Sequence, residues 1–163
     1  MNNYYDEIAT GYEELHKEEQ EKKIEIIKLH LSIDSDDKLL DVGCGTGLTT
    51  EPWNCSRYGI DPSKKLLEKA RQKDKIEYKL APAEKIPYSD DFFDIVISVT
   101  AIQNFSDISK GLEEIKRVCK GKVVLSFLKK SSQNEMISEK IKNLFKIKEI
   151  IEEEKDLIFF GNI

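Results

Sequence analysis

The sequence predicts an α/β domain with a doubly wound, mostly parallel sheet, and three observations predict it. Leu39 to Val42 is an apolar run broken only by Asp41, and Gly43-Cys44-Gly45-Thr46-Gly47 follows it, the pattern of a buried strand entering a tight turn. Ile95 to Val99 is apolar except for Ser98, so it has no wet face and predicts a central strand buried on both sides. Around these runs, helical periodicity alternates with short strand-like segments, as parallel pairing requires when each crossover takes a helix.

Taken in order, Ile24, Ile26, Ile27, Leu29 and Leu31 recur at helical spacing and predict an amphipathic helix lying across one face of the sheet. Asp34 to Lys38 is a polar turn into the first strand. After the glycine turn a short helix is expected from about Gly47, interrupted by Pro52 and Trp53. Arg57 to Ile60 reads as the second strand, ended by Asp61, with Pro62 and Ser63 opening a helix to Lys73 whose Leu66, Leu67 and Ala70 face inward. Ile76 to Leu80 alternates apolar and charged residues, the mark of an edge strand. Phe92 and Phe93, just before the central strand, are expected beneath the carboxyl edge of the sheet.

Lys110 to Val118 is predicted helical, with Leu112, Ile115 and Val118 inward, and Lys122 to Leu128 is the fifth strand. Ser131 to Phe145 reads as the last long helix. Ile147 to Ile151 and Leu157 to Phe160 form an antiparallel hairpin around Glu153 and Glu154, which completes seven strands.

At 163 residues the chain suits one domain, since domains typically run ~100–150 residues, and a single domain over residues 1–163 is expected. A net charge of −5 argues against a globally basic nucleic-acid surface and leaves only local patches, such as Lys116, Arg117, Lys120 and Lys122 or Lys129 and Lys130, to meet phosphates. Cys44, Cys55 and Cys119 are odd in number and lack metal-ligand spacing, so reduced thiols and no metal site are expected. No basic-then-apolar leader opens the chain and no apolar run approaches the ~18 residues that cross a bilayer, so a cytoplasmic protein is expected.

The glycine spacing is G-x-G-x-G preceded by Asp41, unlike the G-x-G-x-x-G of dinucleotide-binding turns. This resembles motif I of the class I S-adenosylmethionine (SAM) dependent methyltransferases, and Asp61 stands where that family carries its ribose-binding carboxylate. A glycine turn that only packs a helix on a strand is the other reading of these residues. A second stretch, Ala81-Pro82-Ala83-Glu84-Lys85-Ile86-Pro87-Tyr88 and then Asp91-Phe92-Phe93-Asp94-Ile95-Val96, resembles the family's Gly-Asp-Ala-Glu-x-Leu-Pro-Phe and Phe-Asp-x-Val segments. The opening Tyr-Asp-Glu-Ile-Ala-Thr-Gly-Tyr, Tyr5 to Tyr12, is similar to that of the type 11 methyltransferases related to ubiquinone and menaquinone biosynthesis. In those relatives it closes over the cofactor, so residues 1–31 are expected as a helical lid or as an anchor of the first helix. The family implies the strand order 3-2-1-4-5-7-6.

By this resemblance the cofactor is SAM. Asp41 helps hold the amino group of its methionine part, Gly43, Gly45 and Gly47 give close backbone approach, and Asp61 accepts from the ribose hydroxyls. Cys44, Pro62 and Thr100 are expected at the same site, while the Ala83 main chain and the Glu84 side chain are the candidates for the adenine, because Pro82 replaces an Asp that many relatives carry. Gln103 and Asn104 stand where acceptors meet the methyl group. Neither amide is a general base, so the acceptor is already nucleophilic or is deprotonated elsewhere; Asn104 capping the next turn, with Phe105 in the core, is the plain alternative. His16, near the lid, is a candidate base. The expected function is methyl transfer by direct displacement to an RNA nucleobase, with a small-molecule acceptor or a non-catalytic SAM-binding scaffold as alternatives. The edge strand Ile76–Leu80 is a possible docking strand for an activator subunit, as in some small methyltransferases.

Overall fold

The computed structural model describes residues 12–71 and 76–163, the side chains of 12–16 excepted. The expected lid residues Tyr4, Tyr5 and Ile8 and the His16 side chain lie outside what is described. Among the described residues the strands are β1 (Lys38–Val42), β2 (Ser56–Asp61), β3 (Ile76–Leu80), β4 (Phe93–Ser98), β5 (Cys119–Leu128), β6 (Lys146–Glu152) and β7 (Asp156–Asn162), in one sheet of order β3-β2-β1-β4-β5-β7-β6. Pairing is parallel from β3 through β5, and β7 runs antiparallel to both β5 and β6. The helices are α1 (Tyr12–His30), α2 (Lys64–Ala70), α3 (Ile108–Val118) and α4 (Asn134–Leu144).

Strand alternation sends neighbouring side chains to opposite faces, and the two faces are built differently. Leu40, Val42, Val96, Val123, Leu125 and Phe159 point to one face, where Leu112, Ile115 and Val118 of α3 and Ile137 and Ile141 of α4 bury them. Leu39, Ile95, Ile97, Val124, Ile158 and Phe160 point to the other, where Ile24 and Ile27 of α1 and the Trp53 indole cover them. Leu29 is 82% exposed: the apolar stripe of α1 is narrower than its apolar residues suggest.

The helix expected from Gly47 is absent. Residues 46–52 form consecutive turns, closed by Thr50 N donating to Gly47 O at 3.1 Å and Glu51 N to the same oxygen at 3.0 Å. Pro52 explains the failure to propagate, because its ring keeps the preceding residue out of the helical region and it has no N–H to continue the ladder. Side chains do the fastening that a helix would have done. The hydroxyls of Thr49 and Thr50 donate to Asp41 Oδ2 at 2.6 and 2.7 Å, and Trp53 Nε1 donates to Thr49 O at 2.8 Å.

Phe92 and Phe93 lie at the other end of the sheet from the one expected. Phe93 opens β4, and its ring packs with those of Tyr58, Tyr88 and Phe92 near Lys38, at the amino ends of the strands. The three cysteines are free thiols, with Cys44 and Cys119 buried. No helix among the described residues is long and apolar enough to cross a membrane.

Candidate functional site

Parallel strands bring their carboxyl ends to one edge, and where the order reverses between β1 and β4 the connecting loops diverge and leave a crevice. A cavity of about 130 Å3 lies there, walled by Gly43 after β1, Asp61 and Pro62 after β2, Ala83 and Glu84 after β3, and Thr100 and Asn104 after β4. Seven of the sequence-predicted residues therefore meet at one cavity. Cys44, Gly45, Gly47, Asp41 and Gln103 do not line it.

Asp61 is the best-defined wall. Its Oδ2 accepts from Gly45 N at 2.9 Å and its Oδ1 from Ser63 N at 2.8 Å, so amides of the glycine turn and of the α2 entry fix the carboxylate plane from two sides. Ser63, not Asp61, caps α2, its side chain accepting from Leu66 N. Gly45 thus acts through its amide, holding Asp61 at the cavity.

The other glycines of the turn are required for packing. Gly43 and Gly47 have φ of +79° and +89°; a Cβ on Gly43 would lie 2.6 Å from the Ala101 methyl, and one on Gly47 would lie 2.3 Å from the Tyr78 hydroxyl. Tyr78 of β3 fills the space under the turn with Cys44, Leu67 and Ala70, which is why Cys44 is a packing residue; burial pushes its thiol well above the usual range. Gly47 serves close packing, Gly43 both packs against Ala101 and lines the cavity, and Gly45 bears on the cavity through Asp61.

Asp41 sits one layer deeper, fully buried. Burial raises its carboxyl to about 6 even though Thr49 and Thr50 donate to Oδ2. Its Oδ1 is buried without a hydrogen-bond partner among the described residues, an arrangement that favours a cationic or donor group arriving at the glycine turn.

On the opposite wall, Gln103 is spent on the backbone. Its Nε2 donates to Thr100 O at 3.0 Å and its Oε1 accepts from Leu128 N at 3.4 Å. Asn104 lies in the short 3-10 turn Ile102–Asn104 and faces the cavity beside Phe105. Glu84 Oε2 accepts from Asp107 N at 3.3 Å, so this acid ties the β3 loop to the start of α3 while lining the cavity.

The sequence reading left Leu66, Ala81, Ala101 and Ser106 out of the site and set Phe105 either beside Asn104 at the acceptor or in the core; all five line the cavity. One signal for Phe105 was present: Gly111 interrupts an otherwise apolar helical stripe, and a Cβ there would lie 2.5 Å from the Phe105 ring. The basic patches are largely occupied. Arg117 donates to the carbonyls of Ile86 and Tyr88 and pairs with Glu114 and Asp90, Lys122 donates to Ser32 O, and Lys120 and Lys129 pair with Asp94 and Glu152.

The family model described as a methyltransferase domain matches residues 40–127. An uncharacterized protein of Methanocaldococcus jannaschii is 30% identical over 96% of this chain and 81% of its own length. The ubiquinone/menaquinone biosynthesis C-methyltransferase UbiE of Geotalea daltonii is 37% identical over 54% of this chain, which corresponds to 44% of that enzyme; several curated relatives are likewise about twice the length of the part that matches. Among solved structures, a chain in the complex of the Haloferax volcanii Trm112 methyltransferase activator with a methyltransferase superposes with a TM-score of 0.81 at 17% identity, covering 97% of this chain and 96% of that one. A SAM-dependent methyltransferase of Thermotoga maritima gives 0.79 at 18% identity over 99% of both chains. These last two likenesses carry the fold alone. From the family match over more than half its length, on a sheet of this order with these strand-end residues, the chain belongs to the methyltransferase domain family, class I, whose cofactor is SAM.

Proposed function

We propose that this chain transfers the methyl group of SAM to a nucleobase of ribosomal or transfer RNA, from the cavity at the carboxyl ends of β1 to β4. The single observation that carries the cofactor assignment is the Asp61 carboxylate, oriented by the amides of Gly45 and Ser63 and exposed to the cavity wall, a geometry suited to a vicinal diol. The unpartnered Oδ1 of Asp41 under the same turn fits an ammonium, reached directly or through water. Gly43, Pro62 and Thr100 then bound the nucleoside and methionine parts, and Ala83 and Glu84 flank the base. Gly45 contributes through Asp61, and Cys44 and Gly47 through the packing of the turn. Bound SAM supplies a methyl carbon made electrophilic by its sulfonium, so the protein's tasks are placement and shielding.

Asn104 and Phe105 favour a nucleobase acceptor. An amide and an aromatic ring at one lip of the cavity can hold an exocyclic amine and stack on a flat face. Gln103 supports that lip through the backbone of Thr100 and Leu128. Among the described residues β3 is the edge of the sheet with no strand on its outer side, and it ends in Leu80, which is 53% exposed; it would take a strand from an activator subunit, the class of partner present in the H. volcanii complex. A small-molecule acceptor is the second reading, favoured by the similarity to UbiE and by the pairing of most of the basic residues that would meet phosphates.

Tritium transfer from labelled SAM into RNA, protein and metabolite fractions of a host extract, with and without co-expressed partner, tests these readings. Label in the RNA fraction supports the proposal and label in metabolites supports the second reading. SAM binding with no transfer in any fraction would mark a scaffold and overturn both.

A further inference from the structure

Thr100 is a β-branched residue held at φ +55°, a left-handed conformation that such side chains avoid, and it lies on the cavity wall. Every polar group of Thr100 is engaged. Its N–H donates to Ser126 Oγ at 2.9 Å, and its carbonyl accepts from Gln103 Nε2 at 3.0 Å. Its hydroxyl accepts from Lys23 Nζ at 2.9 Å and donates to Asp156 Oδ2 at 2.7 Å. Lys23 and Asp156 are themselves an ion pair at 3.2 Å with side chains 2% and 0% exposed. These groups come from four places in the chain: helix α1, the 3-10 turn after β4, the carboxyl-terminal part of β5 and the first residue of β7.

A buried lysine and aspartate joined only to each other would be a poor use of desolvation, because a well-packed apolar pair is often as stable. Their shared partner gives them a purpose. The left-handed turn at Thr100 lays the Ala101 methyl against Gly43, where a glycine Cβ would come within 2.6 Å, and so closes the β4 wall onto the β1 turn beneath the cavity. Relaxation of Thr100 to an ordinary conformation would swing Ala101 away from that contact.

We infer that Lys23 and Asp156 are positioning residues for SAM: they brace Thr100 in its strained conformation and thereby set the cavity wall, without touching the cofactor. Helix α1 is by this means coupled to the site through one buried side chain. The inference rests on the SAM reading of the cavity, which titration of SAM into the unaltered protein tests separately.

The test replaces the pair by apolar residues of similar size, Lys23→Met/Asp156→Leu, and measures SAM affinity by calorimetry beside the unfolding midpoint. A merely structural pair predicts unchanged affinity in the folded variant. The positioning role predicts that SAM binding weakens by about tenfold while the protein stays folded, the scale set by release of one strained residue. Adding Thr100→Gly, which adopts φ > 0 without support, should then recover a substantial part of the affinity. Ser126→Ala, which removes one brace and leaves the buried charges paired, should weaken SAM by about threefold and serves if the first variant does not fold. Affinity within about twofold of the unaltered protein in Lys23→Met/Asp156→Leu, or in Ser126→Ala if that is the variant that folds, overturns the inference. So does the absence of any recovery on adding Thr100→Gly.

Discussion

The two faces of the sheet differ in what they bury. Under α3 and α4 the buried contacts are almost wholly apolar, from Leu40 and Val96 to Ile141 and Phe159. Under α1 and Trp53 the same strands bury Asp41, Lys23, Asp156 and the hydroxyls of Thr49 and Thr50. The first face is held by hydrophobic burial, which is non-directional and tolerant of small adjustments. The second has an apolar layer of its own, from Leu39 and Ile97 to Phe160, and adds directional bonds to it, each ending at a loop that frames the cavity: Asp41 fastens the turns after β1, and the Lys23–Asp156 pair fastens Thr100 after β4. A face that must hold loops at fixed positions uses polar contacts, because apolar packing alone does not fix a loop's conformation so narrowly.

The largest effect that would break this contrast is expected from Lys23→Met. Leaving Asp156 buried and unpaired should cost about 3–5 kcal/mol in urea unfolding, together with SAM affinity. Ile141→Ala on the apolar face should cost about 2–5 kcal/mol in the same assay and leave the affinity of the folded protein unchanged.

Asp41 should show as a pH signature. Its carboxyl is raised from 3.8 to about 6, so between those values the native state binds more protons than the unfolded chain, and stability falls as pH rises through that window. Measured against Asp41→Asn, the unaltered protein should lose about 3 kcal/mol from pH 3.5 to pH 6.5 and show no further relative change above. A flat difference would remove the burial argument. In the bound state the ammonium of SAM should favour the carboxylate, so SAM affinity should rise through the same range and flatten in Asp41→Asn.

Asp61→Ala comes next, with SAM binding weakened by about 100-fold by calorimetry through loss of charge-assisted bonds. The unfolding midpoint should move less than for Lys23→Met, since the backbone amides of Gly45 and Ser63 lose one acceptor each near the cavity, where water can replace it. The smallest effect is expected for Thr49→Val. Removing one donor to Asp41 Oδ2 should cost about 1–2 kcal/mol above pH 6 and less below pH 4, where the carboxyl is protonated.

Much of this was legible from residue pattern. The alternation of apolar runs and helical stripes fixed seven strands within a few residues of their bounds, and Asp41, the glycine turn and Asp61 marked the strand ends that meet. The helix after Gly47 was misread because an apolar residue and two threonines allow one; the decisive facts were Pro52 and the Asp41 carboxylate, which draws both hydroxyls inward. Lys23 left a trace, since it shares the α1 stripe with Gln20, Ile24 and Ile27 where a charge is out of place. Asp156 left none, being one acid in a hairpin rich in them.

What the sequence determined by itself was therefore the order of elements, because local periodicity and turn chemistry act over a few residues and are written in them, and, through its resemblance to motif I, the family and the carboxylates at the strand ends. What only the tertiary structure decided was which polar groups meet: that Gln103 braces rather than faces the cavity, that Tyr78 accounts for Gly47, and that Lys23, Thr100 and Asp156 converge from positions 77 and 56 residues apart in the chain. Such meetings depend on strand register and helix rotation, which are set by the packing of the whole domain and leave no short-range signature.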